Sequence, residues 1–335
     1  MKKQKEIAWN FSPRTDLAIE ARELAQEQKQ NTEELDGVKV EIKNTDIYQI
    51  THVKILNEIG SQTMGKPIGN YITIESELLK ENDITSHEQI MKTVAEHIAG
   101  LSKLNQKSTI LVVGLGNWNI TPDALGPKVI DKILVTRHLN GVLPEEIQKS
   151  VRSVAAISPG VMGITGIETV EIIQGVVEKL KPDLIIAIDA LAARKFSRIN
   201  STIQMSDTGV APGAGVGNKR MTLNEQTLGV PVLALGVPTV VDAATLINDT
   251  MDRMLEEMIA QTEQGSAFYE MLHSMDTDEK YRLIVDILNP YVGNMFVTPK
   301  EVDAVVERLA NIIANAINIA IQPGITIEDI NRFTY

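Results

Sequence analysis

The chain has 335 residues, 43% hydrophobic and 23% charged, the proportions of a soluble globular protein long enough to bury a full core. Acidic side chains outnumber basic ones, 44 to 32, for a formal charge of −12, which repels a phosphate backbone and argues against direct nucleic-acid binding. No cysteine is present, so disulfides, a thiolate nucleophile and cysteine-ligated zinc are excluded. The opening Met1-Lys-Lys-Gln-Lys-Glu-Ile7 lacks the apolar core of a signal peptide. No stretch is expected to reach the roughly 18 apolar residues of a membrane span. The expectation is a cytosolic protein with no membrane partner.

In chain order, residues 1–16 are polar, carry Pro13 and have little to bury, so they are expected to form an appendage. Residues 17–24 have helical spacing, and short strands are predicted at 38–42, 48–56 and 71–74. Ser86 with Gln89 reads as a capping box for a helix. Next come a strand at 109–116, a helix at 128–139 and a strand at 152–157. Thr165 with Glu168 reads as a second capping box, for a helix ending near Leu180. Strands at 183–189 and 199–205, a glycine-rich loop at 209–217, a strand at 231–236 and a helix near 241–262 follow. From about residue 277 the tail is expected to be helical, with Thr298-Pro-Lys-Glu301 as an N-cap signature carrying proline at N1. This alternation predicts an α/β fold: a mostly parallel, doubly wound sheet flanked by helices, with an N-terminal strand-containing region and a C-terminal helical tail. No linker or repeat divides the chain, so residues 17–335 are expected to form one domain with its core at about 108–262.

The runs 109–116 and 183–189 are apolar throughout, as central parallel strands buried on both faces are. Ligands gather outside the carboxyl ends of such strands, and Asp123 and Asp189 fall there. Two carboxylates in that place could share a proton, activate a water or hold a metal. Read blandly, Asp123 is a first-turn helix aspartate after Thr121 as N-cap and Pro122 at N1, and Asp189 caps a helix at 190–194. Spacing leaves both readings open. Asp242 ends a third strand-to-helix connection and could join the pair, although a helix-start aspartate is the simpler reading.

Gly114-Leu-Gly116-Asn-Trp-Asn119 is similar to a dinucleotide turn, but Asn119 replaces the third glycine and Pro122 and Pro127 follow. A non-catalytic α/β module binding a small anion or nucleotide there is the alternative function. Ser206-Asp-Thr-Gly209 holds the Asp-Thr-Gly of pepsin-type proteases once only and in the wrong fold class, so Asp207 reads as a turn residue. His87-Glu88 lacks the second histidine of a zincin, no Gly-x-Ser-x-Gly elbow occurs, and Gly213 to Lys219 misses P-loop spacing. His138, near the predicted helix end, fits a contact with that helix's dipole. Pro159-Gly-Val-Met-Gly-Ile-Thr-Gly166 is either a flexible connection or a cradle of backbone N–H groups for an anion or a peptide carbonyl. Asn117, Gly160, Gly163 and Asp242 are therefore held as secondary contributors to a site.

Val112-Val-Gly-Leu-Gly-Asn-Trp-Asn-Ile-Thr-Pro-Asp-Ala-Leu-Gly-Pro-Lys128 closely resembles the germination protease family of spore-forming bacteria. So do Pro159-Gly-Val-Met-Gly-Ile-Thr-Gly-Ile-Glu-Thr169, Ile185-Ile-Ala-Ile-Asp-Ala-Leu-Ala-Ala-Arg194, Gly215-Val-Gly-Asn-Lys-Arg220, Gly236-Val-Pro-Thr-Val-Val-Asp-Ala243 and Val297-Thr-Pro-Lys-Glu-Val-Asp303. The resemblance implies an endopeptidase that initiates degradation of small acid-soluble spore proteins in the spore core during germination. It implies a zymogen that trims its own N-terminus and a homotetramer. The family's two essential aspartates fall on Asp123 and Asp189. Its self-cleavage pattern, an acidic residue, then an apolar one, then alanine, falls on Asp16, Leu17 and Ala18, which makes residues 1–16 a propeptide. Pro13 stands where a further acidic residue is usual. A more distant similarity to hydrogenase maturation endopeptidases, which use acidic residues and a histidine around a metal, raises a divalent metal at Asp123 and Asp189. No histidine lies at an obvious strand end, so no metal ligand is assigned and no other cofactor is expected.

With that resemblance, one aspartate is expected to activate a water while the other, protonated, polarises the carbonyl or protonates the leaving amine. Two close carboxylates resist ionising together, whereas helix N-termini favour both charges. If the helix ends prevail, a metal-bridged water is the better route.

Overall fold

The structure is a computed structural model and describes residues 15–29, 35–142, 144, 150–213, 221–262, 266, 287 and 295–329. Most of the appendage, the Gly215-to-Arg220 block and the tail between 277 and 294 (apart from Ile287) lie outside the described residues. Helix α1 (Ala18–Lys29) precedes strands β1 (Val38–Asn44) and β2 (Gln49–Ile55), helix α2 (Glu58–Met64) and strand β3 (Gly69–Glu75). Helix α3 (Ile84–Leu101) leads to β4 (Thr109–Gly114), α4 (Leu125–Ile130), β5 (Ser153–Ile157), the single turn α5 (Met162–Thr165) and α6 (Thr169–Leu180). Then come β6 (Leu184–Ala193), β7 (Thr202–Ser206), α7 (Glu225–Leu228), β8 (Val232–Asp242), α8 (Ala243–Gln261), β9 (Phe296–Val297) and α9 (Val302–Ile321).

The nine strands among the described residues form one sheet in the order β1-β2-β3-β7-β8-β6-β4-β5, with β9 pairing β8. The predicted α/β class is present, and the sheet is mixed. Strands β8, β6, β4 and β5 form its parallel part. The N-terminal strands continue that same sheet in antiparallel fashion, through β3 on β7 and β7 on β8.

The pleat sorts the apolar runs onto two faces. Ile110, Val112, Ile186 and Ile188 pack with Ile90, Val94 and Ile98 of α3 and Leu309 and Ile313 of α9. Leu111, Val113, Ile185 and Ala187 pack with Val170, Ile173 and Val177 of α6. Asp189 follows Ile185 and Ala187 in the pleat and so belongs to the α6 face. By length and composition α9 could cross a membrane, with a mean hydropathy of 1.4, which corrects the expectation that no such stretch exists. It is a core helix here, 61% of that window being buried within the molecule.

Several expected boundaries move for identifiable reasons. Helix α3 begins at Ile84 because Asp83 is the N-cap, accepting Ser86 N–H at 3.2 Å; Ser86 is capped rather than capping. The helix expected at 128–139 stops at Ile130. There Asn318 of α9, 2% exposed, takes Leu134 N–H at 3.0 Å and donates to Lys132 C=O at 3.1 Å. His138 therefore sits in a separate short turn, Arg137–Leu139, and not at the end of that helix. Thr165 does not cap α6: its hydroxyl donates to Ile167 C=O at 3.0 Å and the chain reverses at Gly166. The N-cap of α9 is Glu301, because the Thr298 hydroxyl donates to Thr239 C=O of β8 at 2.9 Å.

Candidate functional site

The turn after β4 is built around Asp123. Gly114 and Gly126 let α4 lie against β4: a Cβ on Gly114 would stand 2.3 Å from the Gly126 carbonyl oxygen. Gly116 has φ +111°, and a Cβ there would meet the Asp123 carbonyl oxygen at 2.0 Å, so only glycine fits. That carbonyl accepts Asn117 N–H at 3.0 Å, and Asp123 N–H donates to Ile120 C=O at 2.8 Å. Asp123 lies in a short 3-10 turn, Thr121–Asp123, instead of the first turn of a long helix, and Thr121 is not its N-cap. From β8, the Thr239 hydroxyl donates to Pro122 C=O at 2.7 Å.

Asp189 does not end its strand. β6 runs on to Ala193, so residues 190–193 are strand and Asp189 caps no helix. The paired length of β4 ends at Gly114 opposite Ile188, and Asp189, 6% exposed, is the next residue along, opposite Gly236 of β8. The position beyond a neighbouring strand's carboxyl end was foreseen; the continuation of the strand was not. Asp123 and Asp189 line one cavity of about 560 Å³.

Asp16 lines the same cavity. The β6–β8 register shifts between Leu191 and Ala192, and the Ala192 backbone engages Asp16. Asp16 N–H donates to Ala192 C=O at 3.0 Å, and Ala192 N–H donates to the Asp16 carboxylate at 2.9 Å. Leu17, 0% exposed, packs against Leu191, Ala193, Ile199 and Val241. The chain on both sides of the expected cleavage bond is thus fixed, and Asp16 borders the cavity of the two aspartates.

Helix α1 anchors this segment. Glu20, 0% exposed, accepts the Thr15 hydroxyl and the N–H groups of Arg194 at 2.7 Å and Lys195 at 2.9 Å. The Arg198 guanidinium reaches Glu20 at 3.3 Å, Glu23 at 2.7 Å and Glu75 at 2.8 Å. Burial alone would push the Glu23 carboxyl up, but Arg198 and Lys195, hydrogen-bonded and charged beside it, hold it down at about 2.

The secondary residues separate. Gly160 lines the cavity, and Asn117 holds the turn, its side-chain oxygen accepting Asn119 N–H at 3.0 Å. Gly163 is exposed on α5 and does not line the cavity. Asp242 is the N-cap of α8, accepting Ala244 N–H at 2.8 Å, and does not line the cavity either. Asp207 bridges β7 to β3, accepting Asn70 N–H at 2.8 Å and its amide at 2.6 Å. Sequence reasoning missed Thr239, Lys66 and Gln204. The first sits in a noted motif; no local pattern marks the other two.

Among the described residues no group of three or more His, Cys, Asp or Glu side chains is placed to hold a metal ion.

A family model described as germination protease matches residues 18–261 and 253–334. Relatives carrying that name include one from Clostridium tetani, 54% identical over 96% of this chain and 99% of its own length. Others come from Caldanaerobacter subterraneus, 50% identical over 96% and 98%, and Bacillus cereus, 41% identical over 97% and 98%. A solved structure, the NiFe hydrogenase maturation protease HycI of Thermococcus kodakarensis, is similar at 18% identity over 63% of this chain and 93% of its own. The TM-score of that superposition is 0.30. These matches define a peptidase of spore germination. The chain belongs to the germination protease family.

Proposed function

We propose that the protein is an endopeptidase of the spore core that begins the breakdown of small acid-soluble spore proteins, using Asp123 and Asp189 to deliver a water to the peptide carbonyl. The observation that carries this reading is the shared cavity, in which the two aspartates stand beside Asp16. One carboxylate, ionised, takes a proton from the water as its oxygen bonds to the carbonyl carbon. The other, protonated, gives its proton to the departing amine, and the pair is best described by shared protonation states. This reading routes no step through a metal, and the chelator arm of the test below decides that point. The chain is proposed to be a zymogen, cut between Asp16 and Leu17, and to assemble as a homotetramer.

The alternative, a nucleotide or anion module at the turn from Gly114 to Asn119, is disfavoured by its backbone. The N–H groups of Leu115, Asn117, Asn119 and Ile120 already donate to Ile188 C=O, Asp123 C=O, the Asn117 side chain and Asn117 C=O. They are not available to a phosphate.

The test is peptide mapping of a small acid-soluble spore protein incubated with the self-matured protein, with and without a strong chelator. Cuts are expected after an acidic residue that precedes an apolar residue and alanine, at a rate the chelator leaves unchanged. No cut would sink the substrate assignment; loss of activity in chelator would sink the metal-free mechanism.

A further inference from the structure

We infer that Lys66 and Gln204 form the oxyanion-binding site for hydrolysis of the peptide bond between Asp16 and Leu17, which rests on the proposal that this is the bond cut. The Asp16 carbonyl oxygen accepts two side-chain donors, Lys66 Nζ at 2.9 Å and Gln204 Nε2 at 3.1 Å. Gln204 also spans the bond: its Oε1 accepts Ala18 N–H at 2.6 Å, two residues on. The acyl side is fixed by Ala192 and the amine side by the burial of Leu17 and Ala18. The carbonyl is therefore held with its oxygen against two donors that line an adjoining cavity, while Asp16 also borders the cavity of Asp123 and Asp189 on its other side.

The environment of Lys66 suits developing negative charge. Burial pulls its ammonium below the ordinary lysine range, against the opposing pull of the Asp16 and Glu20 carboxylates. Gln204 is itself buried in β7. When water oxygen bonds to the Asp16 carbonyl carbon, the carbonyl π pair moves onto the oxygen, where Lys66 and Gln204 stabilise it. As the C–N bond breaks, that pair returns, the Leu17 nitrogen takes a proton from the aspartate pair, and the new Asp16 carboxylic acid, which keeps the second hydrogen of the water, gives that proton to solvent. Donors set in place beforehand cost no reorganisation as charge develops.

The test follows self-cleavage of the full-length chain by intact mass, with melting measured in parallel. Lys66→Met and Gln204→Glu are each expected to slow the appearance of an N-terminus at Leu17 by about 10²–10³-fold, as for loss of one oxyanion donor. Lys66→Met is expected to melt somewhat lower, because Asp16 and Glu20 lose a nearby cation, so rates are compared well below the melting temperature of every variant. Lys66→Arg should restore part of the rate. If both donor-removing variants mature at the wild-type rate while Asp189→Asn does not, the inference is overturned and the proposed function stands. If slowing tracks a lowered melting temperature and Lys66→Arg restores nothing, Lys66 is only a tether and the inference again fails. A wild-type chain that matures at a bond other than the one before Leu17 removes the underlying proposal instead.

Discussion

Asp123→Asn and Asp189→Asn are each expected to slow conversion of the full-length chain by at least about 10³-fold, leaving Met1 in place over times that mature the wild type fully. Asparagine keeps the size of the side chain and most of its hydrogen bonds but neither takes a proton from water nor gives one to an amine. Asp189 is the more demanding position, buried between β4 and β8 where the parallel part of the sheet opens. The two changes should not add: removing one member already disables the pair, so the double variant should be no slower than the worse single one. Maturation of either single variant at the wild-type rate would remove that residue from the chemistry. Asp242→Asn provides a contrast, because Asp242 caps α8 and does not line the cavity. It should change stability slightly and leave the rate alone.

Arg198→Met is expected to cost about 3–5 kcal/mol, because it leaves the carboxylates of Glu20, Glu23 and Glu75 facing one another without their common cation. The loss should appear as a large drop in the melting temperature and as early proteolysis of α1. The same network gives a pH window. Glu23 titrates at about 2 in the folded protein against 4.5 for the free side chain. A depressed carboxyl stabilises fully above its unfolded value, and that contribution fades as pH falls from 4.5 to 2. After allowance for solvent screening it is worth about 1–2 kcal/mol. Acid unfolding monitored in that window should lose this step in Glu23→Gln; an unchanged acid profile would contradict the depressed carboxyl.

What could be read beforehand was whatever the chain encodes in long apolar runs. Residues 109–116 and 183–189 are uniform because both sheet faces are covered, so the central strands, and Asp123 beyond β4, were visible from pattern alone, whereas Asp189 lies inside β6 and not past its end. Spacing did not choose between chemistry and capping for Asp123 and Asp189; likeness to a family did. The misplaced details all depend on partners distant in sequence. α4 stops early because Asn318, on α9, captures its backbone, and Thr298 abandons its capping role for Thr239. Asp189 sits within a strand because β8 continues to pair with β6 beyond β4. Lys66 and Gln204 meet Asp16 from 50 and 188 residues away. No periodicity or local motif records such a meeting.

The measurement that bears most directly on the proposed self-cleavage is an intact-mass time course of the wild-type full-length chain at several protein concentrations. Because Asp16 borders the cavity of the chain's own Asp123 and Asp189, the proposal requires residues 1–16 to be lost in one first-order step. Its rate constant should not depend on concentration, and the new N-terminus should be Leu17. A rate that rises in proportion to concentration, or an active product that still begins at Met1, would contradict it.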